Sequence, residues 1–239
     1  MDHFENCEPI PKKIHIFWKI KDYLDFNFNI VKNGTLKLKE LNPDYEFIVY
    51  DDSDIENYLQ KHLSPTDYEL IKNKHIVEKT DLARLLLIYN EGGVYSDIDR
   101  LCNIPLNQII KPGVKCVLPI FRYEDFSQDV IISSKGSPIL KRTIELNIER
   151  RRQGIDHLYY LGPVTYMNAI TEFFLGKQYS RIPGHHVFNN IITIINDNPF
   201  LDTVIESPPF NTIFYNGPVT TFDKQEFYRY SGVISWDLT

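Results

Sequence analysis

The stretch "IVEKTDLARLLLIYNEGGVYSDID", residues 76–99, constrains the fold more than any other. Apolar residues at 82, 85, 86 and 89 recur at helical spacing, so residues 76–91 are predicted as a helix ended by Gly92 and Gly93. "VYSDID" then reads as a short strand and its exit. A helix that feeds directly into an apolar strand is an α/β unit, and this strand runs out into two acids, Asp97 and Asp99.

The flanking segments repeat the alternation. Strands are expected at 13–19, 45–51, 113–121 and 129–134, the second after the turn signal Asn42, Pro43, Asp44. Helices are expected at 24–41 with an interruption at Asn33 and Gly34, at 53–62, at 64–72, at 137–152 and at 163–176. Ser53 with Glu56 reads as a capping box, Ser64 as a cap before Pro65, and Ser137 as a third cap. Beyond 177, strand pieces lie among Pro183, Pro199, Pro208, Pro209 and Pro218. The pattern predicts an α/β fold with helices on both faces of a partly parallel sheet. In such sheets ligands sit beyond the carboxyl ends of strands, where Asp97 and Asp99 fall.

The chain has 239 residues, enough for one domain with a sizeable core. Its net charge of −6 argues against a nucleic-acid partner, because phosphate binding requires a basic face. The basic cluster Arg150, Arg151, Arg152 reads as a solvated helix end. Cys7, Cys102 and Cys116 are widely spaced, with neither metal-ligand nor disulfide spacing, so a reducing compartment is expected. The opening "MDHFENCEPIPKK" has acids where a signal peptide needs a basic and then an apolar region. The longest apolar run, at 85–89, is far too short to cross a bilayer. A soluble, cytoplasmic protein without a membrane anchor is therefore the expectation.

Two acids one residue apart point to opposite sides of an extended strand. If the chain turns at Ile98, both converge on one centre. Mg2+ and Mn2+ take carboxylate oxygens and are commonly held by one or two acids plus substrate phosphates. The bland alternative is that Asp97 caps the turn while Asp99 pairs with Arg100 or Arg84. Asp52 and Asp54 share the spacing but open a predicted helix, where acids favour the dipole. The tripeptide alone therefore decides nothing. Asp81 and Arg84 lie three apart on the helix that precedes the acidic strand, hence on one face, either as a surface ion pair or beside the same cleft.

The composite of Asp81, Arg84, Gly92, Gly93, Val94, Tyr95, Asp97, Ile98 and Asp99 closely resembles the Asp-x-Asp sugar-nucleotide glycosyltransferases. These are family 32, with its Och1-like yeast mannosyltransferases, and the catalytic domain of the large clostridial glucosylating toxins. "IPKKIHIFW" resembles the opening strand of that family, and "LNPDYEFIVYDDSDIENYL" its second strand and helix. "LGPVTYMNAI" resembles a later Thr-Gly-Pro segment with Leu161 in place of Thr, and "GVISWDLT" a closing Ser-Trp element. The family's nearby His is absent there, leaving Asp237 or His186 as substitutes in the metal shell.

The resemblance implies a GT-A-type nucleotide-sugar-binding fold with a mixed, mostly parallel sheet, as one domain over 1–239. Its nucleotide-sugar half would span about 9–120, and its acceptor side and closing segment about 121–239. It implies that Asp99 ligates Mn2+ or Mg2+, that Asp97 contacts the ribose and the metal shell, and that Asp81 and Arg84 hold the donor sugar. Tyr95 would line the nucleotide site and Trp18 would abut the base, although an aromatic in an opening strand is also an ordinary core residue. Ser235 and Trp236 would close over the diphosphate. Asp129 is a possible acceptor-side residue, and no carboxylate stands out as a covalent nucleophile.

The implied function is metal-dependent, anomer-retaining transfer of a hexose to an acceptor hydroxyl. The continuation "DIDRLCNIPLN" favours GDP-mannose over UDP-glucose as donor. The expected acceptor is a protein side chain in the cytosol, including that of a host cell, as for the toxins, with a glycan or polysaccharide as the alternative. An inactive sugar-nucleotide-binding protein is a rival of another class. A metal-dependent phosphotransferase is a second rival, but no G-x-x-x-x-G-K loop is present.

Overall fold

The computed structural model describes residues 4–28, 31–102, 104–119, 126, 128–175, 187–188, 192–195 and 214–215. The elements run β1 (Lys13–Phe17), a 3-10 turn (Lys21–Asp25), a π-helical turn (Val31–Leu36), α1 (Lys37–Leu41), β2 (Glu46–Tyr50), α2 (Asp52–His62) and α3 (Pro65–Glu69). They continue through α4 (Ile76–Glu91), β3 (Gly93–Ser96), β4 (Leu101–Cys102), a 3-10 turn (Leu106–Gln108), β5 (Cys116–Pro119), β6 (Val130–Ser133) and α5 (Pro138–Arg152). Last come α6 (Leu158–Leu161), α7 (Pro163–Leu175), β7 (Val187–Phe188), β8 (Ile192–Ile195) and β9 (Phe214–Tyr215).

Among the described residues a seven-stranded sheet has the order β2-β1-β3-β6-β5-β8-β7. Strands β2, β1 and β3 are mutually parallel, β6 runs against β3 and β5, β5 and β8 are parallel, and β7 runs against β8. Five strands (β1, β2, β3, β5, β8) thus point one way and two the other, which bears out the mixed, mostly parallel α/β sheet. β4 and β9 form a separate antiparallel pair.

Period-two alternation sorts the buried residues into two cores, one on each face. Phe17, Tyr95, Cys116, Leu118 and Ile131 face the core built with α2, α4, α5 and α7. Ile14, Ile16, Val94, Val117, Val130 and Ile132 face the other, beneath α1 and the 3-10 and π-helical turns. Helices therefore cover both faces, as expected. Helix α4 is buried along Leu82–Ile88, held between α2 and α5, which is why its sequence is apolar on more than one stripe.

Several local expectations change. Helix α2 is capped by Asp51, not Ser53: Asp51 Oδ1 accepts from the Asp54 amide at 2.9 Å, and Asp54 Oδ2 accepts from the Asp51 amide at 3.0 Å. Ser53 instead donates to Asp51 at 2.7 Å. Asn33 and Gly34 do not interrupt the helical segment, because the backbone passes through them as a π-helical turn. The arginine cluster is solvated only in part, with Arg152 exposed at its end. Arg151 is buried and bonded to Glu78 at 2.9 Å and Asn147 at 2.8 Å, Arg152 pairs with Asp67 at 2.6 Å, and Arg150 donates to Thr165 at 2.7 Å. These bonds brace the end of α5 against α3, α4 and α7. No described helix is long and apolar enough to cross a membrane.

Candidate functional site

The site grows from the junction of α4 with β3. Gly92 and Gly93 have φ of 69° and 108°, backbone space that side chains rarely enter. A Cβ on Gly93 would lie 2.7 Å from the Lys13 carbonyl oxygen and 3.2 Å from His15 Nε2. Only glycine lets β3 approach β1 so closely. His15, fully buried, fixes the junction from below: Nε2 lies 3.1 Å from the Gly92 carbonyl and Nδ1 lies 3.0 Å from the Tyr50 hydroxyl. A carbonyl only accepts, so Nε2 carries the proton and Nδ1 accepts from Tyr50. Burial, helped by Lys13, lowers the His15 pKa to about 4, against the opposing pull of the Gly92 bond and Glu91.

Strands β1, β2 and β3 are parallel, so Trp18, Asp51 and Asp97 follow their carboxyl ends along one margin of the sheet. Beyond Ser96 the chain does turn at Ile98, with the Arg100 amide donating to the Asp97 carbonyl at 3.1 Å. Ile98 is buried in the second core, and Asp97 and Asp99 are partly exposed on either side of it.

Four of the expected residues come into direct contact. Arg84 Nη2 lies 2.7 Å from Asp81 Oδ1, and Arg84 Nη1 lies 3.4 Å from Asp97 Oδ1. The guanidinium sits 4.9 Å from the centre of the Tyr95 ring, and the Tyr95 hydroxyl donates to the same Asp97 oxygen. Arg84 also donates to the Gln128 carbonyl at 3.2 Å. Arg84 thus pairs with both Asp81 and Asp97, and Arg100 pairs with Asp129.

Burial dominates the electrostatics. It raises the Asp97 pKa to about 6, with Asp99 and Asp129 adding repulsion and Arg84 and the Tyr95 bond opposing. It also raises Asp81, against Arg84 and Arg151. Burial disfavours the Arg84 charge, but Asp97, Tyr95 and Asp81 outweigh it and hold the guanidinium protonated. A carboxylate raised by burial and by a second carboxylate is stabilised by a cation placed between the two. Asp97 and Asp99 therefore fit a hard divalent ion as oxygen donors. Among the described residues no group of three or more His, Cys, Asp or Glu is placed to hold a metal.

Trp18 follows β1, its ring 6.1 Å from Tyr23, packed against the second core. Strand β1 pairs with β3 at Ile14 with Val94 and His15 with Tyr95, so Trp18 leaves the sheet on the same margin as the Asp97–Arg100 turn. Ser235, Trp236, Asp237 and His186 lie outside the described residues. Asp129 is not an open acceptor-side group: it is buried and paired with Arg100. Gln128 carried no signal in the sequence. Gln128 Nε2 donates to the Gly162 carbonyl at 2.6 Å, and a Cβ on Gly162 would come within 3.3 Å of Asp81 Oδ2. The segment 161–163 therefore closes against Asp81, a contact for which the sequence carried only the likeness to a Thr-Gly-Pro segment.

Comparison with known proteins agrees with this geometry. Residues 29–113, which hold Asp81, Arg84, Tyr95, Asp97 and Asp99, match the family described as "Glycosyltransferase sugar-binding region containing DXD motif". The match places this segment's likeness with the DXD glycosyltransferases. Inositol phosphoceramide mannosyltransferase 1 of Schizosaccharomyces pombe is 24% identical over 174 residues, covering 73% of this chain and 52% of that protein. Toxin Afp18 of Yersinia ruckeri serotype O1 is 25% identical over 210 residues, covering 74% of this chain and 10% of the toxin. The chain thus spans about half the length of the fission-yeast relatives it matches. The solved PaToxG glycosyltransferase superposes with a TM-score of 0.55 at 21% identity, over 72% of this chain and 71% of that one, and so shares the fold. Both kinds of protein expected from the DXD composite, yeast mannosyltransferases and toxins, are among these relatives.

Proposed function

We propose that the chain is a metal-dependent, anomer-retaining glycosyltransferase that moves a hexose from a nucleotide sugar to an acceptor hydroxyl. The observation that carries this reading is the single charged network Asp81–Arg84–Asp97, with Tyr95 beneath it, set beside Asp99 at the carboxyl end of β3 within the DXD region. Asp97 and Asp99 would hold Mn2+ or Mg2+, which when bound neutralises the charge of the departing nucleoside diphosphate.

The remaining roles belong to the protein's own groups. Asp81 keeps Oδ2 clear of its Arg84 bond and turned towards Gly162, so it can accept from a sugar hydroxyl while Oδ1 orients the guanidinium. Arg84, fixed by Asp81, Asp97 and the Gln128 carbonyl, is a preorganised cation facing the place where negative charge develops. Tyr95 holds both Asp97 and Arg84, which keeps the carboxylate aimed and the cation from swinging out. Trp18 would abut the base from the margin of β1, and Ser235 with Trp236 would close over the diphosphate.

GDP-mannose is the favoured donor, with UDP-glucose next. The sequence after the motif supports mannose, and so do the names of the yeast relatives. A protein side chain in the cytosol, including that of a host cell, is the favoured acceptor, supported by the toxin relatives. The mannosyltransferases named for inositol phosphoceramide favour a second reading in which the acceptor is a glycan or glycolipid hydroxyl. The test is release of nucleoside diphosphate from GDP-mannose and UDP-glucose with Mn2+, by the wild type and by Asp99→Asn. Turnover of one donor that is lost in Asp99→Asn supports transfer. Donor binding without turnover moves the reading to an inactive sugar-nucleotide-binding protein.

A further inference from the structure

The turn that carries Asp97 and Asp99 is tied at both ends to one residue, Asp129. At its start the Asp97 amide donates to the Asp129 carbonyl at 2.8 Å, which extends the antiparallel ladder one rung past Ser96 and Val130. At its end Arg100 Nη2 pairs with Asp129 Oδ2, and both side chains are only 10% exposed. The Arg100 amide closes the loop on the Asp97 carbonyl, and Ile98 between them is buried. Asp97, Ile98 and Arg100 are therefore anchored, and their anchors help fix the backbone from which Asp99 projects.

A buried ion pair adds little net stability, because desolvation cancels most of the attraction. What it does supply is a fixed geometry. Arg100 meets Asp129 through Nη2 and Oδ2, in a buried setting where neither side chain has room to swing away. Without the pair, the main-chain bonds at 97 and 100 would hold a two-residue loop that is open at its far end.

We infer that the Arg100–Asp129 pair is a positioning device that sets the spacing of the Asp97 and Asp99 carboxylates towards a divalent cation bound with a nucleoside diphosphate. The inference rests on the proposed function for the identity of that ligand. Groups that orient metal ligands without touching the metal typically change its affinity by about 10- to 100-fold when removed.

The test compares the wild type, Arg100→Lys, and the double variant Arg100→Met with Asp129→Leu. The readouts are melting temperature and Mn2+ affinity in the presence of GDP or UDP, from the electron paramagnetic resonance signal of free Mn2+. The double variant should melt within a few degrees of the wild type, since apolar residues replace a buried pair at small cost, yet bind Mn2+ about tenfold or more weakly. Arg100→Lys, which keeps the charge but changes the head group that meets Asp129, should bind it severalfold more weakly. A double variant that binds Mn2+ within about twofold of the wild type overturns the inference. If the double variant does not fold, Arg100→Lys decides by the same criterion. A wild type that binds Mn2+ with neither nucleotide removes the proposed function instead. The clamp is then judged by hydrogen exchange at the Asp97 and Arg100 amides: faster exchange in Arg100→Lys supports it, and unchanged exchange refutes it.

Discussion

His15→Gln should flatten the acid dependence of stability. In the unfolded chain a histidine takes up a proton near pH 6.5, whereas burial between Tyr50 and the Gly92 carbonyl lowers the pKa of His15 to about 4 in the fold. Above pH 6.5 both states are neutral and His15 contributes nothing to the slope. As the pH falls from 6.5 to about 4, the unfolded chain gains a proton that the fold refuses, and stability is lost at about 1.4 kcal/mol per pH unit. Over that window the loss sums to about 3 kcal/mol. Asp97 acts in the opposite sense. Its pKa is raised to about 6 in the fold, so the fold takes up that proton first and gains stability as the pH drops. The wild-type curve alone therefore mixes two signs, and the difference between wild type and His15→Gln isolates the histidine. Urea denaturation followed by circular dichroism, from about pH 7.5 to about pH 4, gives that difference. The wild type should lose about 3 kcal/mol more than His15→Gln over the range. Parallel pH profiles would refute the buried, neutral histidine.

Gly93→Ala forces a side chain into φ of 108° and a Cβ to 2.7 Å from the Lys13 carbonyl, so its melting temperature should fall by at least about 5 °C in a scanning calorimeter. An unchanged melting temperature would mean β3 does not sit against β1 as described. Asp51→Ala removes the carboxylate that accepts from the Asp54 amide in the α2 capping box and should cost about 1 kcal/mol in denaturant unfolding, whereas Ser53→Ala should cost under about 0.5 kcal/mol. The reverse order would restore Ser53 as the cap. Because the Asp97 pKa is raised to about 6, bound Mn2+ must displace a proton at lower pH. Mn2+ affinity in the presence of a nucleoside diphosphate, measured by calorimetry, should therefore weaken as the pH drops below about 6, and pH-independent affinity would remove Asp97 from the ligand set.

What could be read in the sequence was local. Helix α4 and strand β3 were legible because the period, the two glycines and the acids follow each other without a gap, and the observed α4 spans the expected 76–91. Ser64 with Pro65 and Ser137 announced α3 and α5 in the same way. Asp51 was missed because Asp51, Asp52, Ser53 and Asp54 are all good caps, and only the backbone angles choose among them. The Arg100–Asp129 pair was hidden for a different reason. It depends on β6 pairing antiparallel to β3, which brings together residues 29 positions apart, and nothing within either segment states that register. The same holds for Arg151 and Glu78, which meet only because α5 packs on α4. Asp81 and Arg84 were placed together by helical spacing, but that spacing alone left a surface ion pair equally open. The bond from Arg84 to Asp97 decides between the two.

The measurement that most directly tests donor binding at the Asp97–Asp99 turn is thermal stabilisation by GDP and by UDP, each with and without Mn2+, for the wild type and Asp99→Asn. A ligand bound at 100 times its dissociation constant stabilises the fold by about 2.7 kcal/mol, enough for a clear rise in melting temperature. The wild type should be stabilised by one nucleotide, and only with Mn2+ present, while Asp99→Asn melts like the unliganded wild type and does not respond. Stabilisation that is independent of Mn2+, or a response in Asp99→Asn equal to that of the wild type, would contradict the assignment of these two acids to a metal–diphosphate site.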